Sequence, residues 1–220
     1  MGYNSRIRRA VAVAAAAGCV ACGRSAQLAV ADGMGPTPAI PKPSTSMFPT
    51  IKVHTAVGWA DSARPRAATG LDVNAFARGL NHPRWLYVLP NGDVLVAETN
   101  APKRPLDNRG LRGLIFKRYQ KRAGGAVPSA NRIMLLRDAD GDGVAELKTP
   151  FIENLNSPFG MALVGNTFYV ANTDAVVRFP YNGGETKITA APVKVADLPG
   201  GDLNHHWTKT LIANVEGTRL

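Results

Sequence analysis

The chain has 220 residues, 45% of them apolar, which allows one large or two small domains with a core of their own. Its 22 Gly and 16 Pro, scattered among many short apolar runs, argue against a helical body and for a turn-rich all-β one. The net charge is +10, but the nine Lys/Arg from Lys103 to Arg132, against the single acid Asp107, supply +8 of it. The charge therefore marks one insertion, not a basic groove across a fold, and no nucleic-acid partner is expected.

Residues 1–31 have the pattern of an export signal. Arg6, Arg8 and Arg9 form a positive start, and Ala10–Ala17 is an apolar stretch too short to span a bilayer. Both cysteines, Cys19 and Cys22, lie here, so the mature body has no internal disulfide. Val20-Ala21-Cys22-Gly23 is similar to the end of a bacterial lipoprotein signal, without the usual Leu three residues before the Cys. Ala16-Ala17-Gly18-Cys19 is a second candidate, plain secretion and a lipidated cysteine both stay open, and the expected location is the periplasm or the membrane surface. Residues 32–69, rich in Pro, Ala, Ser and Thr, are expected to be a tether or a strap on the body, with the folded domain spanning 70–220.

Leu71–Ala77 alternates apolar with polar or small residues, which predicts a half-buried strand. Next comes LNHPRWLYVLPNGDVLVAET (Leu80–Thr99), and its pattern returns as LNSPFGMALVGNTFYVANT (Leu155–Thr173). Each is Leu-Asn-x-Pro, an apolar stretch, a turn with Gly and Asn, a second apolar stretch and a closing Thr. A third, weaker copy, LIANVEGTRL, stops inside its second strand. Repeated strand–turn–strand units imply a propeller-like array, because one unit alone cannot bury its apolar face.

Between the copies, residues 109–123 hold Leu111, Leu114, Ile115 and Tyr119 interleaved with Arg112, Lys117, Arg118, Lys121 and Arg122. This predicts a short basic amphipathic helix ended by Gly124-Gly125, either a solvated excursion or a contact for an anionic membrane surface. Arg132–Leu136 with Ala145–Ile152, and Val176–Tyr181 with Val193–Ala196, are expected to be outer strands whose inner partners are the repeats.

The loop Asp138-Ala139-Asp140-Gly141-Asp142-Gly143-Val144-Ala145-Glu146 sits between two of those outer strands. Asp138, Asp140 and Asp142 at alternate positions converge when the chain turns tightly at Gly143. The Val144 carbonyl and Glu146 could complete a ring of hard oxygen ligands for Ca²⁺ in a structural role. It matches an EF-hand loop only in part, since Thr149 stands at the twelfth position and no helix flanks it. The alternative is a solvated acidic turn. Among the four His, the adjacent pair in Asn204-His205-His206-Trp207-Thr208-Lys209 would point to opposite faces of a strand. Only one imidazole could then face a central site for base chemistry, and a hydrogen-bonded pair at a strand start is the plainer alternative.

From about Leu71 to Leu220, the repeats, RIMLLRDADGDGVAE and the NHHWTK segment together resemble the sorbosone dehydrogenase-type branch of the bacterial quinoprotein sugar dehydrogenases. The resemblance implies a six-bladed β-propeller, of which this chain would encode about half the ring with a short basic helical insertion. It implies pyrroloquinoline quinone, aided by Ca²⁺, as hydride acceptor for a sugar or aldehyde substrate. His206-Trp207-Thr208-Lys209-Thr210-Leu211 is similar in place to the family's catalytic segment, which implies His206 as the base at the cofactor. Here His205 stands where an Asp is often found, and Thr208-Lys209-Thr210 replaces Gly-Gly-Arg. The family's cofactor-clamping cations and cofactor Ca²⁺ loop fall beyond the residues present, so the expectation is a chain inactive alone. The alternative is a non-catalytic cell-envelope propeller that binds a glycan or a protein.

Overall fold

The computed structural model describes residues 28–42, 53–103, 110–201 and 204–220. The positive start, the apolar stretch and the two cysteines of the expected export signal lie outside these residues. The chain divides into two compact units, Met1–Val53 and His54–Leu220. In the first, residues 28–42 are exposed and carry one 3-10 turn, Val30–Gly33.

The second unit holds β1 (Pro83–Val88), β2 (Val94–Glu98), α1 (Gly110–Arg122), β3 (Arg132–Arg137), β4 (Leu147–Ile152), β5 (Met161–Val164), β6 (Thr167–Ala171), β7 (Ala175–Pro180) and β8 (Val193–Asp197). These strands form two four-stranded antiparallel sheets, β1-β2-β3-β4 and β5-β6-β7-β8. Each repeat supplies the first hairpin of its sheet, and the outer strand pairs complete it. The class is all-β with one helix, and neither sheet closes on itself.

The two sheets pack through a continuous core. The first contributes Leu95, Ala97, Ile133, Leu135 and Phe151, the second Met161, Phe168, Val170, Val177 and Phe179. Phe168 sits edge-on to Tyr87 at 6.0 Å and to Phe151 at 5.7 Å. The repeat alignment gives this packing a sense, because Val94–Ala97 corresponds to Phe168–Ala171. Phe168 and Val170 face the first sheet, whereas their counterparts Val94 and Val96 face away from the second. The sheets are thus stacked in the same sense, front to back, and not face to face as in a two-fold sandwich.

The outward side of the first sheet, with Val96, Met134 and Leu136, is covered by Phe76, Ala77 and Leu80. Here the expected strand at Leu71–Ala77 is not formed. The segment has no strand partner and is tied to the end of the β3–β4 loop by the Ala145 N–H to Phe76 O bond at 2.8 Å. It lies across a sheet face, where no row of backbone groups is offered for a ladder, so its apolar alternation reflects cover and not pairing. Leu86 and Val88, also on the outward side, stay more than half exposed.

At the β1–β2 turn, Asp93 is buried and bound by both arms of Arg137, Nε to Oδ1 and a terminal nitrogen to Oδ2, each at 2.7 Å. Arg137 also donates to Gly184 O at 3.1 Å, tying this turn to the β7–β8 connection of the other sheet. The Arg137 hydrogen bond holds the Asp93 carboxyl below the usual carboxylate range and outweighs the opposing effect of burial. A folded-state pKa below the unfolded one stabilises the fold above the unfolded pKa of about 3.9, and that stabilisation is lost as pH falls through the folded value. Asp93→Ala is expected to cost about 2 kcal/mol, less than a fully enclosed pair would, since the Arg137 side chain is 32% exposed. Denaturant midpoints measured against pH should show a shallower acid decline in the variant than in the parent chain.

Candidate functional site

At one end of both sheets the repeats build a buried polar layer. The Asn81 N–H donates to Glu98 Oε1, and the equivalent Asn156 N–H donates to Asn172 Oδ1 at 3.2 Å. A polar residue at the end of the second repeat strand therefore receives the Leu-Asn start in both copies. Glu98, only 1% exposed, is also paired with Arg132, which balances a charge that burial alone would not allow. Next to it, His82, in the left-handed region at φ 53°, places Nδ1 2.7 Å from Thr99 O and accepts the Thr99 N–H on its own carbonyl. Ser157 N–H donates to Asn131 Oδ1 at 2.9 Å.

The closing threonines differ. Thr173 Oγ1 accepts from Asn204 Nδ2 at 2.8 Å, whereas Thr99 Oγ1 is the one buried side-chain polar atom without a partner among the described residues. Glu98, Asn100, Ser157 and Asn172 were not singled out from sequence as site residues. Their signal was present all the same: they sit in or beside the Leu-Asn and Ala-x-Thr ends of the repeats, which the pattern marked only as strand boundaries.

His205 and His206 lie at this same end, just after Asn204. The expected strand there is not formed, and both imidazole-bearing residues are exposed. The segment is held by its neighbours instead. Trp207 is buried and meets Phe159 edge-on at 6.4 Å; Phe159 in turn tilts against Trp85 at 4.9 Å. Arg84 carries its guanidinium 5.4 Å from the Trp207 ring centre, and Lys209 Nζ donates to His206 O at 3.0 Å. The aromatic residues near the three repeat starts, Trp85, Phe159 and Trp207, thus touch in chain order. The third copy forms its turn, with Gly217 N–H to Asn214 O at 3.0 Å, as Gly92 N–H bonds Leu89 O at 2.9 Å in the first copy, but it forms no strand pair.

The acidic loop occupies the β3–β4 turn, at the opposite end of the sheet. One carboxylate oxygen from each of Asp138, Asp140, Asp142 and Glu146 lies within 4.8 Å of the others. Backbone amides hold the ring together: Gly141 and Gly143 donate to the two oxygens of Asp138, Asp142 to Asp140, and Ala139 to Glu146. Val144 joins through its amide, which donates to Asp142 Oδ1 at 2.8 Å. Gly143 turns the chain at φ 84°, where a side chain would be strained and would also press on Asn74. Four carboxylate oxygens at this spacing could hold a metal ion. The structure thus keeps the two expected chemistries apart, His206 at one end and the carboxylates at the other.

No helix among the described residues is long and apolar enough to cross a membrane. Comparison of the chain with family models, curated proteins and solved structures gives no match.

Proposed function

We propose that the chain contributes blades of an exported quinoprotein dehydrogenase of the sorbosone/glucose type, oxidising a sugar or aldehyde. The observation that carries this reading is the exposed His206 at the end of the sheets where the repeat starts converge. Same-sense stacking supports the propeller part of the reading, because sheets that pack front to back extend into a ring by adding further copies. The expected cofactor, pyrroloquinoline quinone, is a planar polycarboxylate, and the groups here suit one: Arg84 and Lys209 offer cations, and Trp85 is partly exposed as a stacking face. When bound, the quinone would accept the substrate hydride. His206 would take the hydroxyl proton, and Lys209, fixed to the His206 carbonyl, would keep the segment in register.

The test is titration of the purified chain with pyrroloquinoline quinone, read by the quinone absorbance. A saturable change that His206→Ala abolishes is expected, without dye reduction by aldoses from this chain alone. No change in absorbance at any concentration would remove the dehydrogenase reading. It would leave the second one, a non-catalytic envelope propeller in which the half-exposed Trp85 stacks on a glycan.

The carboxylate ring at Asp138, Asp140, Asp142 and Glu146 is proposed to hold Ca²⁺ as a structural brace of the β3–β4 turn. Ca²⁺ is expected to raise the melting temperature, chelation to reverse the rise, and Asp140→Asn to abolish it. Equal melting curves with and without Ca²⁺ would return the loop to a solvated acidic turn. Export, and anchoring through a lipidated Cys22, complete the proposal on the strength of the N-terminal sequence.

A further inference from the structure

Among its described residues, helix α1 shows its apolar side chains to solvent. Leu114, Ile115, Phe116 and Tyr119 are 67%, 50%, 44% and 43% exposed, while the buried position among the described residues of the helix is Gly113. An ordinary surface helix does the opposite and packs its apolar stripe inward. At roughly 100° per residue, Ile115, Tyr119 and Phe116 fall within one flank, and Lys117, Lys121, Arg118 and Arg122 share the adjacent one with Leu114. The helix, GLRGLIFKRYQKR, contains no acid, and among the described residues none of these four cations forms an ion pair.

This face is also firmly presented. Gly125 N–H bonds Gln120 O at 2.9 Å and Gly124 N–H bonds Lys121 O at 3.2 Å, a Schellman ending with Gly124 at φ 75°. The Arg122 carbonyl, which the helix itself leaves open, accepts from Ala56 N–H at 2.9 Å, and Arg122 Nε donates to Thr55 Oγ1 at 3.2 Å. The helix is thus clamped at its C-terminus while its apolar and cationic flanks point outward.

We propose that α1 docks in the plane of a lipid bilayer containing anionic phospholipid. Ile115, Phe116 and Tyr119 enter the boundary between headgroups and acyl chains, and Lys117, Arg118 and Lys121 reach back to lipid phosphates. Charge complementarity chooses the lipid, and the apolar flank separates a bilayer from a nucleic acid. A phosphate backbone would satisfy the cations and leave Ile115 and Phe116 in water, whereas a bilayer satisfies both flanks at once.

The experiment is co-sedimentation of the full chain with vesicles of phosphatidylcholine alone or with about one-third phosphatidylglycerol. Two variants are compared with the parent, the charge variant Lys117→Gln/Arg118→Gln/Lys121→Gln and the apolar variant Ile115→Gln/Phe116→Gln. Arg122 is left in place because it holds the clamp, and unchanged circular dichroism and melting show that each variant folds. The partition onto anionic vesicles is expected to exceed that onto neutral ones at least tenfold. It should fall about tenfold or more in the charge variant and severalfold in the apolar one, and it should weaken as salt shortens the Debye length from about 10 Å to about 3 Å. Any contribution from the N-terminal residues is common to all three proteins. Equal partition of all three would overturn the proposal. So would loss in the charge variant with full retention in the apolar one, which would mark a plain polyanion surface that duplex DNA should then occupy equally well.

Discussion

Phe168→Ala is expected to destabilise the second unit by about 3–5 kcal/mol, a large share of the total stability of a domain this size. Phe168 is fully buried, and its ring contacts come from both sheets: Tyr87 and Phe151 from the first, Tyr181 from just beyond β7. These groups are fixed by strand pairing, so they cannot collapse into the space left by the ring, and a cavity cost adds to the lost transfer energy. The measurement is urea denaturation, with a lowered midpoint at an unchanged slope. Tyr169→Ala is the internal control. Its side chain lies on the other side of β6 and is half-buried, so a loss below about 1 kcal/mol is expected. Similar losses at both positions would mean that the sheets do not stack through the Phe168 face.

That contrast between neighbouring residues also shows what was legible in the sequence. The strands were, because period-two patterning and a repeated turn are local signals, and β1, β2, β5 and β6 fall within the two copies as expected. The sense of stacking was not. Val94 and Phe168 occupy equivalent positions and are both apolar, but only the three-dimensional structure shows that one faces outward and the other inward. Leu71–Ala77 misled for the same reason, since alternation reports that one side is covered and is silent about which backbone groups are paired. The helix was placed correctly by its pattern and its Gly-Gly ending. Which side of it is buried was not, because the buried position among its described residues is Gly113, which carries no hydrophobic signal. Carboxylates spaced two apart announced the Asp138–Glu146 loop. The polar layer at the other end stayed hidden because Glu98 and Asn172 each meet the Leu-Asn start of their own repeat only once the hairpin brings together residues 16 to 17 apart in sequence.

Gly160→Ala is expected to release the segment that carries His206. A Cβ at this position would lie 2.3 Å from Leu211 N, 2.7 Å from Lys209 O and 2.8 Å from Leu211 Cβ. Two of those atoms are backbone, so no rotamer change relieves the contact, and the Gly160 N–H to Lys209 O bond at 3.0 Å is broken as the two segments part. The consequence is local. The body keeps its core, with a global cost of about 1–3 kcal/mol, while residues 204–211 lose their attachment to the start of β5. Trp207 would then leave its place beside Phe159, so its fluorescence should shift to the red and amide exchange at Gly160 should accelerate. Gly183→Ala, where nothing lies within 4 Å of the added carbon, should leave both unchanged. If the quinone reading holds, Gly160→Ala should lose the absorbance change as completely as His206→Ala does, although the histidine itself is intact. Retention of that change with a displaced Trp207 would show that His206 is not held for chemistry by the repeat packing.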